Sequence, residues 1–491
     1  MYAFFSRTRA YALLLAGAAM TIASSAQTFT DLADFNYSNG AAPLNAPLVQ
    51  GTDGNLYGAT AYGGLCTLYD LGCGSVFKMT PAGALTTLHF FNGSDGAYPF
   101  GGLLLDSDGS FYGTTVTAGA NCASPDGCGT VFKISPKGDF STLYTFCAQP
   151  NCADGFQPSG SLIRGFDGDL YGITGYGGTS TKCSLGCGTI FKITPGGALT
   201  TVYSFTGPPS PYYPFYSLLQ ATDGNLYGTT SGGGGYGGGA VFKVTPNGKF
   251  TTIYSFCPQP GCADGEIPSS GLIQAVDGDF YGTTDLGGSS RSCNGCGTIF
   301  KISPSGAFKS VLSFDSTDGF TPVGGLIEAT DHNLYGTTTE GGGSATCPGG
   351  CGNIFQFGPG PAASTLYTFA NDRAGEDPRS ALLQATDGSF YGTTYVGGLD
   401  GAGNIFRLST GLAPFVKTLP KSGKVGAVIR VLGTDLTGAT AVSFNGVAAA
   451  FQVVSATEIT ATVPDGAATG EVQVKIPGAT LLSGGPFFVL P

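Results

Sequence analysis

What most restricts this chain is that it repeats one phrase seven times. A Tyr-Gly step recurs at Tyr57, Tyr112, Tyr171, Tyr227, Tyr281, Tyr335 and Tyr391, with spacings of 55, 59, 56, 54, 54 and 56 residues. A period of this size means an array of one supersecondary unit. In the fifth copy four apolar runs (272–275, 280–284, 298–302 and 308–314) lie between turn signals and are rich in β-branched and aromatic residues. They are too short for globular helices and read as strands. Asp-Gly joins the first two runs at Asp53, Asp108, Asp167, Asp223, Asp277 and Asp387, where glycine supplies the positive φ of a tight hairpin. The sixth copy keeps the aspartate as Asp331-His332. Pro-x-Gly signals join the third and fourth runs, so each copy is expected to be a four-stranded antiparallel meander.

Seven such meanders suit radial packing, and the chain ends favour a ring over a linear stack. After the seventh copy's 403–407 the fourth run is missing, while an orphan run with its aromatic pattern, 28–35, precedes the first copy. The expected fold is all-β: a seven-bladed β-propeller closed by the N-terminal strand, which leaves no open edge. From Phe415 the repeat stops, and short strands at sandwich spacing predict an immunoglobulin-like β-sandwich. The division expected is a signal peptide over 1–26, the propeller over 27–410 and the sandwich over 411–491.

The phrases Leu-Tyr-Gly-Thr-Thr, Gly-Thr-Val-Phe-Lys and Leu-Tyr-Thr-Phe, spread over roughly residues 28 to 408, resemble the GloVer tandem repeats of secreted bacterial "choice-of-anchor" proteins. That resemblance implies an exported bacterial repeat protein and brings no catalytic residues with it. Gly-Thr-Asp-Leu at 433–436 and Ile-Thr-Ala-Thr-Val-Pro at 459–464 resemble an IPT/TIG domain, which implies a spacer or protein-contact module.

Export is also legible in the residues. Arg7 and Arg9 precede an apolar run, 11–23, and small residues Ser24-Ser25-Ala26 close it. The run is short for a bilayer, so cleavage with no remaining membrane span is expected. Fourteen cysteines fall into seven close pairs: Cys66 and Cys73, Cys122 and Cys128, Cys147 and Cys152, Cys183 and Cys187, Cys257 and Cys262, Cys293 and Cys296, Cys347 and Cys351. An even count at short spacing behind a signal peptide argues for local disulfides in a secreted or cell-surface protein. One CxxC pair and two histidines, His89 and His332, make a poor zinc set, so no bound metal is expected there. A formal charge of −11 becomes −13 without Arg7 and Arg9, which disfavours nucleic-acid partners.

In an antiparallel meander the Asp-Gly and Pro-x-Gly turns emerge at one end, and the second-to-third and copy-to-copy loops at the other. All seven cysteine pairs lie in loops of the second kind, so the stapled end is where binding is expected. Three groups there stand out. Asp95, Asp154, Asp264 and Asp318 in the copy-to-copy loops are candidate axial-mouth carboxylates that would hold Ca²⁺ through oxygen, though turn formation alone explains their spacing. Before the fourth copy the acidic phrase is replaced by Tyr212, Tyr213, Phe215 and Tyr216 among prolines, beside a glycine loop carrying Tyr236. These aromatics form a candidate platform for a sugar or a partner's side chains, unless they simply pack on the neighbouring loop. The residue after each Val/Ile-Phe pair is Lys78, Lys133, Lys192, Lys243, Lys301, Gln356 or Arg407, read as long side chains over apolar surface with their heads in water.

Enzyme readings fare poorly. Glutamate is scarce in the repeats (Glu266, Glu328, Glu340, Glu376), the arginines fall at unrelated repeat positions, and the chain has no Trp. The expected function is a non-catalytic extracellular module that binds a glycan or protein partner through the long-loop face. A secreted carbohydrate-active propeller with axial carboxylates is the alternative.

Overall fold

A computed structural model describes residues 27–490 except 65, 67–69, 121, 123–126, 259, 291–292, 294, 345, 348, 361 and 371. The expected signal segment, 1–26, lies outside the described residues. The described residues are all-β apart from two single-turn 3₁₀ segments, Pro150–Cys152 and Leu436–Gly438. Among the described residues no helix is long and apolar enough to cross a membrane.

The repeat region forms seven sheets among the described residues, six of four strands and one of five. In the first, Val49–Gln50, Leu56–Thr60, Ser75–Met79 and Leu85–Phe90 pair antiparallel in chain order. The first strand of each is shorter than the sequence suggests. In the fifth copy it is Ile273–Gln274 rather than 272–275, and Glu266–Pro268 adds a strand beside Phe280–Leu286. The seventh sheet takes its fourth strand from the N-terminus: Thr28–Asp34 pairs antiparallel with Asn404–Ser409, with Thr28 opposite Ser409 and Asp34 opposite Asn404. Phe29 then stacks on Tyr367 of the sixth copy at 3.7 Å, as Phe140 stacks on His89 at 3.8 Å and Phe308 on Tyr254 at 3.9 Å. The orphan run thus fills the same packing slot as a fourth strand.

The Tyr-Gly step has a steric cause. The third-strand phenylalanine lies flat over the glycine of the second strand, so a Cβ on Gly58 would come within 2.6 Å of Phe77 Cζ and one on Gly336 within 2.6 Å of Phe355 Cζ. The tyrosine before it turns the other way and packs on the next sheet, Tyr57 on Phe111 at 4.2 Å and Tyr335 on Phe390 at 4.4 Å. Large, fully buried tyrosine and phenylalanine rings lie between the sheets, and apolar burial of this kind stabilises by about 25 cal/mol per Å².

The C-terminal region forms two four-stranded sheets, one around Val428–Leu432 and Glu458–Thr462, the other around Ala441–Phe444 and Val472–Ile476. Ile429, Val431, Val442, Phe444, Ile459 and Val474 close a sandwich core between them. This domain does not hang free. Thr457 Oγ1 donates to Thr52 O at 2.7 Å, Arg430 Nε to Ser107 O at 2.8 Å, and Thr434 Oγ1 meets Thr386 Oγ1 at 3.0 Å. Leu432, with Leu419 beside it, joins the apolar cluster of Leu103 and Leu105. Thr52, Ser107 and Thr386 all flank Asp-Gly turns, so the sandwich sits on the tight-turn end of the sheets.

Candidate functional site

At the tight-turn end the repeated aspartates are fully used. Asp53 accepts from Asn55 N at 3.1 Å, Tyr57 Oη at 2.8 Å and Lys78 Nζ at 2.8 Å. Burial opposes its charge, but the bonds from Lys78, Asn55 and Tyr57 hold its carboxyl below the ordinary aspartate range. The same pairing recurs as Lys133 with Asp108 (2.7 Å), Lys243 with Asp223 (3.2 Å), Lys301 with Asp277 (2.9 Å) and Arg407 with Asp387 (3.4 Å). The ammonium heads are therefore ion-paired over tyrosine rings, 5.3 Å from the centroid for Lys133, and do not simply sit in water as the sequence suggested. A further contact links neighbouring sheets at this end. The side chain closing one first strand accepts from the previous copy's backbone: Gln220 from Phe166 N (2.7 Å), Gln274 from Thr222 N (2.9 Å), Gln384 from Thr330 N (3.1 Å) and Gln50 from Thr386 N (2.9 Å).

The opposite end carries the cysteines, and all seven expected pairs are disulfides. Their carbonyls hold the chain in place. The residue before the proline that leads toward each first strand has positive φ: Ala42, Tyr98, Gln157, Tyr213, Ile267, Thr321 and Asp377, between 51° and 59°. This is unfavourable for any side chain and most of all for Ile267 and Thr321. In five copies the N–H of that residue donates to the carbonyl of the second cysteine in the previous copy's second-to-third loop, as Tyr98 to Cys73 (2.9 Å), Gln157 to Cys128 (2.9 Å), Tyr213 to Cys187 (3.2 Å) and Asp377 to Cys351 (3.0 Å). Each such staple fixes the carbonyl that fixes the next copy's entry.

The four loop aspartates do not converge. Asp154 is fully buried and accepts from Tyr144 Oη (2.8 Å) and Ala148 N (3.0 Å); Asp264 accepts from Tyr254 Oη (2.8 Å) and Cys257 N (3.1 Å). Asp95 meets His89 Nε2 at 2.9 Å, and Asp318 accepts from Asp315 N at 2.6 Å. Tyr144, Tyr254 and His89 lie on fourth strands, so three of the four carboxylates are each engaged by the fourth strand of their own copy. Burial and Asp315 push the Asp318 carboxyl up to about 6, although bonds from Asp315 N and its own amide pull the other way. Two cysteine pairs approach a glutamate, Cys257 and Cys262 with Glu266, and Cys347 and Cys351 with Glu376, but those sulfurs are spent in disulfides.

The aromatic candidates split. Tyr212, Tyr213 and Phe215 are half-buried, with Tyr213 edge-on to Tyr212 at 4.7 Å and to Tyr176 at 5.2 Å. Tyr236 stands alone on its glycine loop, 62% exposed. Tyr216 goes elsewhere. Its hydroxyl has no hydrogen-bond partner among the described residues, and burial, then Asp285, pushes it up to about 12.

Around Tyr216 lies a group that the sequence reading missed. Arg379 binds Asp377 through Nε (2.8 Å) and Nη2 (2.6 Å) and stacks on Tyr395, 4.5 Å from the ring centroid. Burial works against the guanidinium, yet Asp377 more than offsets it. Burial and then Glu340 raise Asp285 above the usual carboxylate range, and Arg379 only partly compensates. Tyr62 is raised by burial and by its bond to Tyr395. These residues come from copies 1, 4, 5, 6 and 7, far apart in the sequence. The signal was present in the sequence, but finding it requires aligning the copies on the leucine of each first strand and asking which positions break the pattern.

Models of known families match most of the chain. The Gloeobacter/Verrucomicrobia repeat model matches residues 3–185 and 175–360, and the IPT/TIG domain model matches 415–489. No curated protein matches it. Among solved structures, a glucose-dehydrogenase-type oxidoreductase of Thermus thermophilus is 15% identical, covering 78% of this chain and 100% of its own, with a TM-score of 0.39. A 6-phosphogluconolactonase-type protein of Bacteroides uniformis is 13% identical, covering 65% and 83%, with a TM-score of 0.42.

Proposed function

The chain belongs to the Gloeobacter/Verrucomicrobia repeat family and ends in an IPT/TIG domain, and from that premise we propose that it is an exported, non-catalytic binding module. In this reading residues 1–26 are a cleaved signal, 27–410 a seven-bladed propeller closed by its N-terminal strand, and 411–491 a cap on one end of its axis. Ring closure is supported by the pairing of Thr28–Asp34 with Asn404–Ser409 and by the Thr386-to-Gln50 bond between the last and first copies. Secretion is supported by seven disulfides, which persist in oxidising compartments.

The observation that carries the binding reading is the asymmetry of the two ends. One is occupied by the sandwich domain and by turn aspartates already paired with lysine. The other has long stapled loops, exposed Tyr236 and carboxylates without full partners. The test is retention of residues 27–491 on bacterial cell-envelope fractions and an immobilised glycan panel, compared with Tyr213→Ala and Tyr236→Ala. Saturable binding is expected, weakened by Tyr213→Ala. Turnover of any polysaccharide or ester that vanishes in Asp285→Asn would sink the non-catalytic reading.

A further inference from the structure

Aligned on the leucine that opens each first strand, the residue two before it is Ala46, Gly101, Gly160, Ser270, Gly324 or Ser380 in six copies and Tyr216 in the fourth. Smallness there is enforced by crowding where the first strands meet. A Cβ on Gly160 would come within 2.9 Å of Ser217 N, and Ser161 N already donates to Ser217 Oγ at 2.9 Å. A tyrosine at this position has only the central channel to enter. The same alignment shows Asp285 where other copies have Ala61, Val116, Gly175, Ser231, Thr339 and Tyr395. Arg379 likewise replaces Asn45, Phe100, Ser159, Phe215, Ser269 and Val323. Three departures from an otherwise small or neutral lining therefore gather at one mouth, where packing alone did not set the residue.

One of these side chains, Asp285, and the partner of another, Asp377 beside Arg379, are left incomplete. Among the described residues five buried side-chain polar atoms lack a hydrogen-bond partner, and Asp285 Oδ1 and Asp377 Oδ1 are two of them. A buried acceptor left unmade costs about 1–3 kcal/mol, so two at one mouth point to a ligand that donates to them. We propose that the central mouth, floored by Tyr216 and walled by Asp285 and the Asp377–Arg379 pair, binds the end of a neutral saccharide. The proposal rests on the reading of the loop end as the binding face.

The class follows from the mixture of groups. Asp285 and Asp377 only accept, the guanidinium of Arg379 only donates, and the hydroxyl of Tyr216 does both. Sugar hydroxyls also do both, and a ring face can lie on Tyr62 or Tyr176, which stand near Tyr98 (5.3 Å) and Tyr213 (5.2 Å). An ammonium ligand would satisfy the carboxylates but face Arg379 with like charge, and an anionic one would face Asp285 and Glu340.

The test uses residues 27–491 and calorimetric titration with neutral hexasaccharides of glucose, mannose and N-acetylglucosamine, and with a lysine-rich decapeptide. At least one hexasaccharide should bind, and Asp285→Asn and Tyr216→Ser should each weaken it at least about 10-fold, the scale of one lost charge-assisted bond. Tyr216→Ser restores the small residue typical of the repeat, so an unchanged melting temperature is expected, and Tyr236→Ala should change affinity less than about 2-fold. If a hexasaccharide binds but responds only to Tyr236→Ala, the central site is wrong while the binding face stands. Binding of the peptide alone overturns the saccharide assignment, and no binding to sugars, peptide or cell-envelope fractions overturns both readings.

Discussion

At the tight-turn end, the sandwich domain covers the sheets through Leu419 and Leu432, through bonds from Thr457 and Arg430, and through Lys417, which reaches the carbonyl of Gln384. At the loop end nothing covers the sheets among the described residues, and local order comes from disulfides and from carbonyls that hold residues at positive φ. The same seven meanders thus end in two different materials. One end is stabilised by burying apolar area against a second domain, the other by many short covalent loops. Burial of that kind is cooperative and fails as a unit, whereas staples act one loop at a time.

The largest test of that contrast is Leu432→Asp. Leu432 is 6% exposed and packs among residues of the first two copies, so a carboxylate there should cost at least as much as removing the side chain, about 2–5 kcal/mol. The sandwich should undock as a unit, giving a separate low-temperature unfolding transition and proteolytic release near residue 411. A single unshifted transition would show that the cap does not depend on this face. At the other end, Cys183→Ser with Cys187→Ser should cost about 2 kcal/mol by loop entropy. Its effect should stay local, as faster amide exchange over 207–216, where Tyr213 N loses its anchored carbonyl. Exchange that rises equally in all copies would contradict the one-loop-at-a-time picture.

The contrast was half visible in the sequence. Turn chemistry fixed which end is tight, because Asp-Gly and Pro-x-Gly dictate hairpins by local backbone preference alone, and the cysteine spacing located the staples for the same reason. The orphan run 28–35 was recognisable because a fourth strand's aromatics must stack on its neighbour, as Phe29 does on Tyr367. The docking of the sandwich was not legible, since Leu419, Leu432 and Lys417 look like ordinary strand residues and only tertiary packing makes them a footprint. The partners of the loop aspartates were not legible either. Asp154 and Asp264 lie in the long loops, and each accepts from a fourth-strand tyrosine at 2.8 Å that no local pattern announces. Asp285, Asp377 and Arg379 are scattered over about 95 residues of chain, and only tertiary packing between copies relates them to Tyr216.

Charge separates the two ends more finely. Lys417 lies where the sandwich meets the sheets, its ammonium bonded to the carbonyl of Gln384, and burial, then Lys421, push it down to about 7 despite Asp387. A base whose folded pKa is depressed makes the unfolded chain bind more protons between that value and the ordinary lysine range, so this contribution to stability rises with pH above about 7. Lys417→Met should therefore stabilise the protein at pH 7 by about 1–2 kcal/mol, after allowing for solvent contact, and flatten the rise from pH 7 to 10. A steeper rise in the variant would refute the assignment.

The smallest expected effect carries the opposite sign and sits in the closing strand. Burial and then Asp34 push the Asp31 carboxyl up to about 6, against the bond that Asn404 Nδ2 donates to it at 3.0 Å and the charge of Arg373. Because the folded pKa lies above the unfolded one, Asp31 contributes most below about pH 4, and the contribution is lost as pH rises through about 6. Raising the pH from 5 to 9 should then loosen the strand that joins the last copy to the first while it tightens the cap. Asp31→Asn should remove the first half of that trade. It should add about 1 kcal/mol at pH 8, discounted for an only partly buried carboxyl, add nothing at pH 4, and lower amide exchange at 404–409 without altering the cap. If the gain appears equally at both pH values, proton linkage is not its cause. If exchange falls at 417–432 instead, the two ends are coupled through the sheets, and the division between a cooperative end and a stapled end would have to be abandoned.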